Sequence, residues 1–180
     1  MSEWRNAELG EFVEIQTGPF GSLLHAADYV LEGIPSIMPV NIGNRLNINR
    51  EKIVCITVGD ANRLKKYLVT ENDIIYSRRG DVEKCALITS KESGWLCGTG
   101  CLRVRIISEL LDPKFCAYYL SMDEIKAWVT SNAVGTTMPN LNSSILKKLP
   151  LVLPPLPEQQ AIASVLSALD DKIDLLQRQN

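Results

Sequence analysis

The sequence is poor in the groups from which metal centres are built. It has one histidine, His25, and five cysteines. Cys97 and Cys101 have neither a second cysteine pair nor a neighbouring histidine to complete a tetrahedral site. Cys55, Cys85, Cys97, Cys101 and Cys116 are odd in number and lie mostly inside apolar segments, which fits buried free thiols in a reducing compartment better than a disulfide framework. A basic apolar leader, a long uncharged apolar run and a lipidation signal are all missing, so the expectation is a cytoplasmic protein without membrane contact.

Signatures of catalysis are missing too. The loop Gly18, Pro19, Phe20, Gly21, Ser22 lacks the lysine and Ser/Thr that complete a phosphate-cradling loop. Glu124-Ile125-Lys126, the nearest spelling of a nuclease magnesium site, has no suitable aspartate upstream. Pro154-Pro155 stands between Leu153 and Leu156 and so does not make the Asn-Pro-Pro-aromatic motif of an amino-methyltransferase, for which a glycine-rich cofactor loop is also wanting. The expectation is a protein that is not an enzyme and uses no cofactor and no metal.

What is present is enough for one well-buried domain with an appendage: 180 residues, 46% of them hydrophobic. The net charge of −2 argues against bulk attraction to nucleic acid, but the charges are unevenly distributed. In residues 1–44 the only base is Arg5, against Glu3, Glu8, Glu11, Glu14, Asp28 and Glu32. In residues 45–105 the bases, among them Arg63, Lys65, Lys66, Arg78, Arg79, Arg103 and Arg105, outnumber the acids. The middle of the chain is locally basic.

Residues 34–40, 52–58, 73–77, 84–89 and 101–107 are short, rich in Ile and Val, and separated by Gly, Asn and Asp, which predicts strands. Residues 4–15 have apolar positions at mixed spacing and predict a short helix turning into a strand. From Asp112 onward Phe115, Tyr118, Tyr119, Met122, Ile125, Trp128 and Val129 fall on one helical face, which predicts a core helix. A further helical turn should begin at Ser143 or Ser144. The class expected is therefore mixed α/β (α+β), with domain bounds of 1–153 for the globular part and 154–180 for a proline hinge and helix.

Three places offer groups to nucleic acid. Arg78 and Arg79 follow a strand and precede Gly80, which presents two guanidinium groups in a turn, suited to guanine edges or phosphate oxygens. In 101–107, Leu102, Val104 and Ile106 alternate with Arg103 and Arg105, which predicts a core face set against a basic face. Phe20 and Ser22 in the first glycine loop, and Thr136, Thr137 and Asn140 in the loop Ala133-Val-Gly-Thr-Thr-Met-Pro-Asn-Leu-Asn142, complete the candidate set with Lys65 and Lys66. Solvated or salt-bridged arginines are the alternative.

The C-terminal run, residues 149–180, reads as a strand, a proline hinge and a helix starting near Pro157, with Glu158 in the first turn. Ile162, Leu166, Leu169, Ile173 and Leu176 recur at alternating spacings of four and three, the seam of a coiled coil. Each would contribute roughly 1.5 to 3 kcal/mol if fully buried, so the seam calls for a cover. That cover is a partner helix or the helix's own domain.

The string GTTMPNLNSSILKKLPLVLPPLPEQQAIASVLSALDDKID resembles the segment that closes a target recognition domain and opens the helix of specificity (S) subunits in type I restriction-modification systems. GPFGSLLHAADYVLEGIPSIMPVNI, VTENDIIYSRRGDVEKCALI and GTGCLRVRI precede it in the family's order. The resemblance implies a mixed-sheet recognition domain with a long helix, and no chemistry of its own. In that family two such units stand head to tail. Their helices pair as a spacer and docking surface for methyltransferase (modification) subunits, and through them for the restriction subunit. Each domain reads one half of a split double-stranded DNA target. One unit in this chain implies a half-subunit or a fragment, completed by a second recognition unit or by a homodimer through the helix. A helix of about 23 residues spans on the order of 35 Å, close to one turn of B-DNA. A pure coiled-coil scaffold without its own DNA readout is the rival expectation.

Overall fold

The structure, a computed structural model, describes residues 4–135 and 139–179. Its centre is a four-stranded antiparallel sheet built around β9 (Cys101–Ile106). On one side β9 pairs with β2 (Val13–Thr17), and on the other with β6 (Ile74–Ser77), which pairs in turn with β7 (Cys85–Leu87). Alternation along these strands sends two sets of side chains to opposite faces. Val13, Ile74, Tyr76, Leu102 and Val104 enter one core, and Ile75, Ala86 and Cys101 enter another. The central sheet is thus covered on both faces.

The second cover is a smaller sheet of β3 (Tyr29–Val30), β5 (Val54–Ile56), β4 (Ile34–Ile37) and β8 (Leu96–Cys97), with β4 and β8 parallel and the rest antiparallel. Ile37 and Cys97 of this sheet meet Ile75 and Cys101 of the first. Its other apolar contacts gather Ile56 and Leu96 with Leu24, Leu64 and Tyr67 beneath α1 (Val58–Arg63). Thr57 caps that helix, its hydroxyl accepting from the Asp60 amide.

The first cover is helical. Helix α2 (Pro113–Leu120) begins with the Asp112 carboxylate accepting from the Phe115 amide and buries Phe115, Cys116, Ala117 and Leu120. Helix α3 (Asp123–Asn132) adds Ile125 and Val129, and α4 (Ser143–Lys147), capped by Asn142, adds Leu146. The expected single aromatic helix is therefore two. The break falls at Ser121, whose hydroxyl donates to the Tyr118 carbonyl, and at Met122, whose side chain is exposed.

The chain's start also departs from expectation. Instead of a helix, residues Arg5–Glu8 form strand β1, followed by a single tight turn at Leu9–Glu11 and then β2. The reason is long-range: β1 pairs with β10 (Pro150–Leu153), in the register Arg5 to Leu153 through Glu8 to Pro150. A partner that distant leaves no local trace.

Helix α5 (Leu156–Gln179) follows Pro154 and Pro155. Gln159 is fully buried, and its amide meets three backbone groups: Nε2 donates to the carbonyls of Leu110 and Pro154, both at 2.8 Å, and Oε1 accepts from the Asp112 amide at 2.8 Å. The small side chain of buried Ala163 lies one turn on, where α5 meets α2. Farther along the same stripe, Lys114 donates to Ser167, the Tyr118 hydroxyl donates to Asp170 at 2.8 Å, and Arg45 pairs with Asp174 at 2.7 Å. The adjacent stripe is bare: beyond half-buried Ile162, the side chains of Leu166, Leu169, Ile173 and Leu176 are exposed, Leu169 by 53%. Among the described residues no helix is long and apolar enough to cross a membrane.

Candidate nucleic-acid interface

Arg78 and Arg79 leave the end of β6 in a turn closed by Gly80, whose φ of +75° suits glycine. The Ser77 hydroxyl donates to the Arg79 carbonyl at 3.1 Å. Arg78 is fixed at both ends, its amide donating to the Gly100 carbonyl at 2.8 Å and its carbonyl accepting from Leu141 at 2.9 Å. Arg79 stands opposite Asn140 in an isolated antiparallel bridge. A second such bridge joins Asn140 to Val134. The Asn140 Oδ1 is buried with no hydrogen-bond partner among the described residues. Thr136 and Thr137 lie outside the described residues.

The first glycine loop comes to the same place. Gly18 donates to the Cys101 carbonyl, and the Thr99 hydroxyl donates to the Pro19 carbonyl at 2.8 Å. Phe20 then sets its ring against Arg78, with the guanidinium carbon 5.6 Å from the ring centroid, within the range of cation–π attraction. The Gly98-Thr99-Gly100 turn holds both members of this stack. Glycine is required by space on both sides of the meeting: a Cβ on Gly18 would stand 2.1 Å from the Gly98 carbonyl oxygen, and one on Gly98 would stand 2.6 Å from the Ile37 carbonyl oxygen. Ser22, in the tight turn Gly21–Leu23 just beyond, is exposed.

Charge separates these arginines from most of the others, Arg5, which lies over the Phe12 ring, being likewise without a carboxylate among the described residues. Arg45, Arg50, Arg63, Arg103 and Arg105 each have a carboxylate partner. Among the described residues Arg78 and Arg79 have none. Partial burial, and then the neighbouring Arg79 charge, press the Arg78 guanidinium below its ordinary value; an arginine nonetheless keeps its charge in proteins. Two like charges side by side with no acid between them favour an anion from outside.

The basic face expected of β9 is not there. Because the second sheet covers that side, Arg103 is only 4% exposed. Its Nη1 donates to the carbonyls of Lys66 and Leu68 at 2.7 and 3.0 Å, and its Nη2 is 3.4 Å from Glu14. Arg105 grips Asp73 with two hydrogen bonds of 2.7 and 2.6 Å and also reaches Thr70. Both are internal struts. What Arg103 braces is the turn Lys65–Tyr67, where Lys65 and Lys66 are exposed and the Lys66 ammonium lies 4.9 Å from the Tyr67 ring centroid. Arg63, just before this turn, donates to the Leu23 carbonyl at 2.7 Å. The loop after Gly18 therefore runs from the Arg78 stack to the lysine turn.

Neither the Gly98–Gly100 turn nor Gln159 was singled out by sequence as an organiser. The glycine spelling Gly98-Thr99-Gly100 between two strands was the available signal for the first. The thiols are buried, and burial pushes Cys85 and Cys97 each up to about 12. Among the described residues no three His, Cys, Asp or Glu side chains group as a metal site would require.

The arrangement is that of an α/β domain carrying its free basic groups on loops, with a helix bound along one stripe and bare along the next. The chain belongs to the family of the type I restriction modification DNA specificity domain, whose profile matches residues 1–180. It is 25% identical over 177 residues to the type I restriction enzyme MjaVIII specificity subunit of Methanocaldococcus jannaschii, a match covering 98% of this chain and 38% of that one. Its fold is similar to that of the S subunit of a type I restriction-modification system from M. genitalium, with a TM-score of 0.67, 23% identity, and coverage of 98% and 41% of the two chains. It is also similar to the HsdS subunit from Thermoanaerobacter tengcongensis, with a TM-score of 0.70, 19% identity, and coverage of 98% and 40%. The chain thus spans about two-fifths of the length of these relatives.

Proposed function

We propose that this chain reads one half of a split double-stranded DNA target for a type I restriction-modification complex and performs no chemistry itself. The observation that carries the reading is the Arg78–Arg79 pair, free of any carboxylate among the described residues and gathered with Phe20 and Asn140 on one set of loops. Lys65 and Lys66 extend the surface for the phosphate backbone. The division is between a recognition domain up to Leu153 and a hinge and spacer helix from Pro154. On that helix, the exposed stripe Leu166, Leu169, Ile173 and Leu176 supports pairing with the helix of a second recognition unit, or of a second copy of this chain. The paired helices would then dock the modification subunits in the cytoplasm.

Salt dependence tests the DNA reading. If the domain neutralises about four phosphates, the logarithm of affinity falls with the logarithm of salt at a slope near −3.6. A flat response would favour the rival in which the helix is a scaffold and the loops are idle. Replacing Arg78 and Arg79 together by Ala should weaken binding in the complex with modification subunits while leaving the thermal midpoint in place. Sedimentation tests the pairing, and a monomer at tens of micromolar with α5 intact would sink the homodimer.

A further inference from the structure

The adjacent arginines Arg78 and Arg79 are held very differently, and the difference assigns them different work. Arg79 is exposed and, among the described residues, lies over no aromatic ring and is tied only through its backbone. Arg78 is half-buried, pinned at its amide and its carbonyl, and laid against the Phe20 ring. Its guanidinium makes no hydrogen bond among the described residues. A planar group held over an aromatic face, on a backbone pinned at both ends, has less rotamer freedom to lose, so its fork is restricted in direction before any ligand arrives.

We infer that Arg78, stacked on Phe20, reads a guanine edge in the major groove, while Arg79 binds the phosphate backbone. This rests on the proposed DNA recognition and gives that site its base. A fixed fork of N–H donors matches two acceptors side by side, and guanine shows O6 and N7 in that geometry. Adenine and cytosine each turn an amino donor toward the same groove, and thymine offers one acceptor beside a methyl group. An exposed, freely turning arginine suits phosphate instead, where charge counts for more than direction.

Stack and turn form one unit. Phe20 reaches the stack through Pro19, which Thr99 holds, and Arg78 hangs from Gly100. Phe20, itself 54% exposed, is a positioning residue. A leucine there would keep bulk and lose the aromatic face.

The test is selection from a randomised duplex library by the chain assembled with the modification subunits of its own system. The wild type should enrich a motif with guanine at a defined position. Arg78→Ala should lose the preference at that position alone, by roughly ten- to a hundredfold, and Arg78→Lys should lose it too although the charge is kept. Phe20→Leu should blunt the same position less severely. Arg79→Ala should weaken all sequences alike and reduce the salt slope by about 1. If Arg78→Ala weakens every sequence equally, or the wild-type motif holds no guanine, the inference is overturned while DNA recognition stands. If the wild type enriches no motif, the DNA reading itself falls and takes the inference with it.

Discussion

Arg45 and Asp174 stand 129 positions apart in sequence and meet at 2.7 Å, with the same guanidinium nitrogen also 2.7 Å from Gln177 Oε1. The loop that presents Arg45 has an unusual backbone, with φ of +52° at Arg45 and +61° at Leu46, a region that costs non-glycine residues energy. Leu46 anchors it by packing on the main core and by accepting from the Leu87 amide. The loop is thereby a brace for the outer half of α5.

Arg45→Ala should leave the domain folded and loosen that half of the helix. Exposed pairs contribute about 0.2 to 1 kcal/mol, so amide exchange near Asp174 should rise by a factor of roughly 1.4 to 5 while exchange around Gln159 stays as it was. Rates unchanged along the whole helix would show that the brace is ornamental.

Gln159→Ala should be the costly change in α5. It strands the buried Pro154 carbonyl and the partly buried Leu110 carbonyl and Asp112 amide. Unsatisfied buried groups cost about 1 to 3 kcal/mol each, tempered by whatever water enters. We expect about 2 to 4 kcal/mol lost in urea unfolding, and a loss below about 1 kcal/mol would mean the three groups find other partners.

Tyr76→Phe should be nearly free. The Tyr76 ring is wholly buried and its hydroxyl has no hydrogen-bond partner among the described residues, so removing the oxygen removes a desolvated group and keeps the packing. The unfolding free energy should stay within about 0.5 kcal/mol or rise. A clear destabilisation would reveal a bond that the hydroxyl makes in solution.

Stability should fall in alkali partly through the thiols. Cys85 and Cys97 rise from the ordinary 9.0 to about 12 because they are buried. The folded state holds these protons more tightly than the unfolded one, so the stabilisation is whole below about pH 9 and is lost as pH climbs toward about 12. A Cys85→Ala, Cys97→Ala double variant should show a shallower alkaline decline in urea midpoint than the parent. Parallel declines would place the loss on other groups.

How much was legible in the sequence depended on whether a segment's partner was near or far. The strands at 74–77, 85–87 and 101–106 came from local alternation and β-branched content, and α4 and α5 from their caps and spacing. Strand β1 was invisible because only β10 makes it a strand. Alternation put Arg103 and Arg105 on a separate face correctly, but it could not say that the second sheet lies across that face. The same limit hid the gathering of Phe20, Arg78 and Asn140, whose meeting point is set by a turn at 98–100 far from all three.

Helix α5 is held at its base by Gln159 and near its far end by Arg45, and a rod pinned at two points cannot swing about either one. Its 24 residues extend about 36 Å, so without the Arg45 pin a tilt of about five degrees at the base would carry the tip sideways by about 3 Å. The Arg45 loop thereby sets the direction in which α5 leaves the domain, and with it where the bare stripe of Leu166, Leu169, Ile173 and Leu176 is aimed, without touching a residue of that stripe.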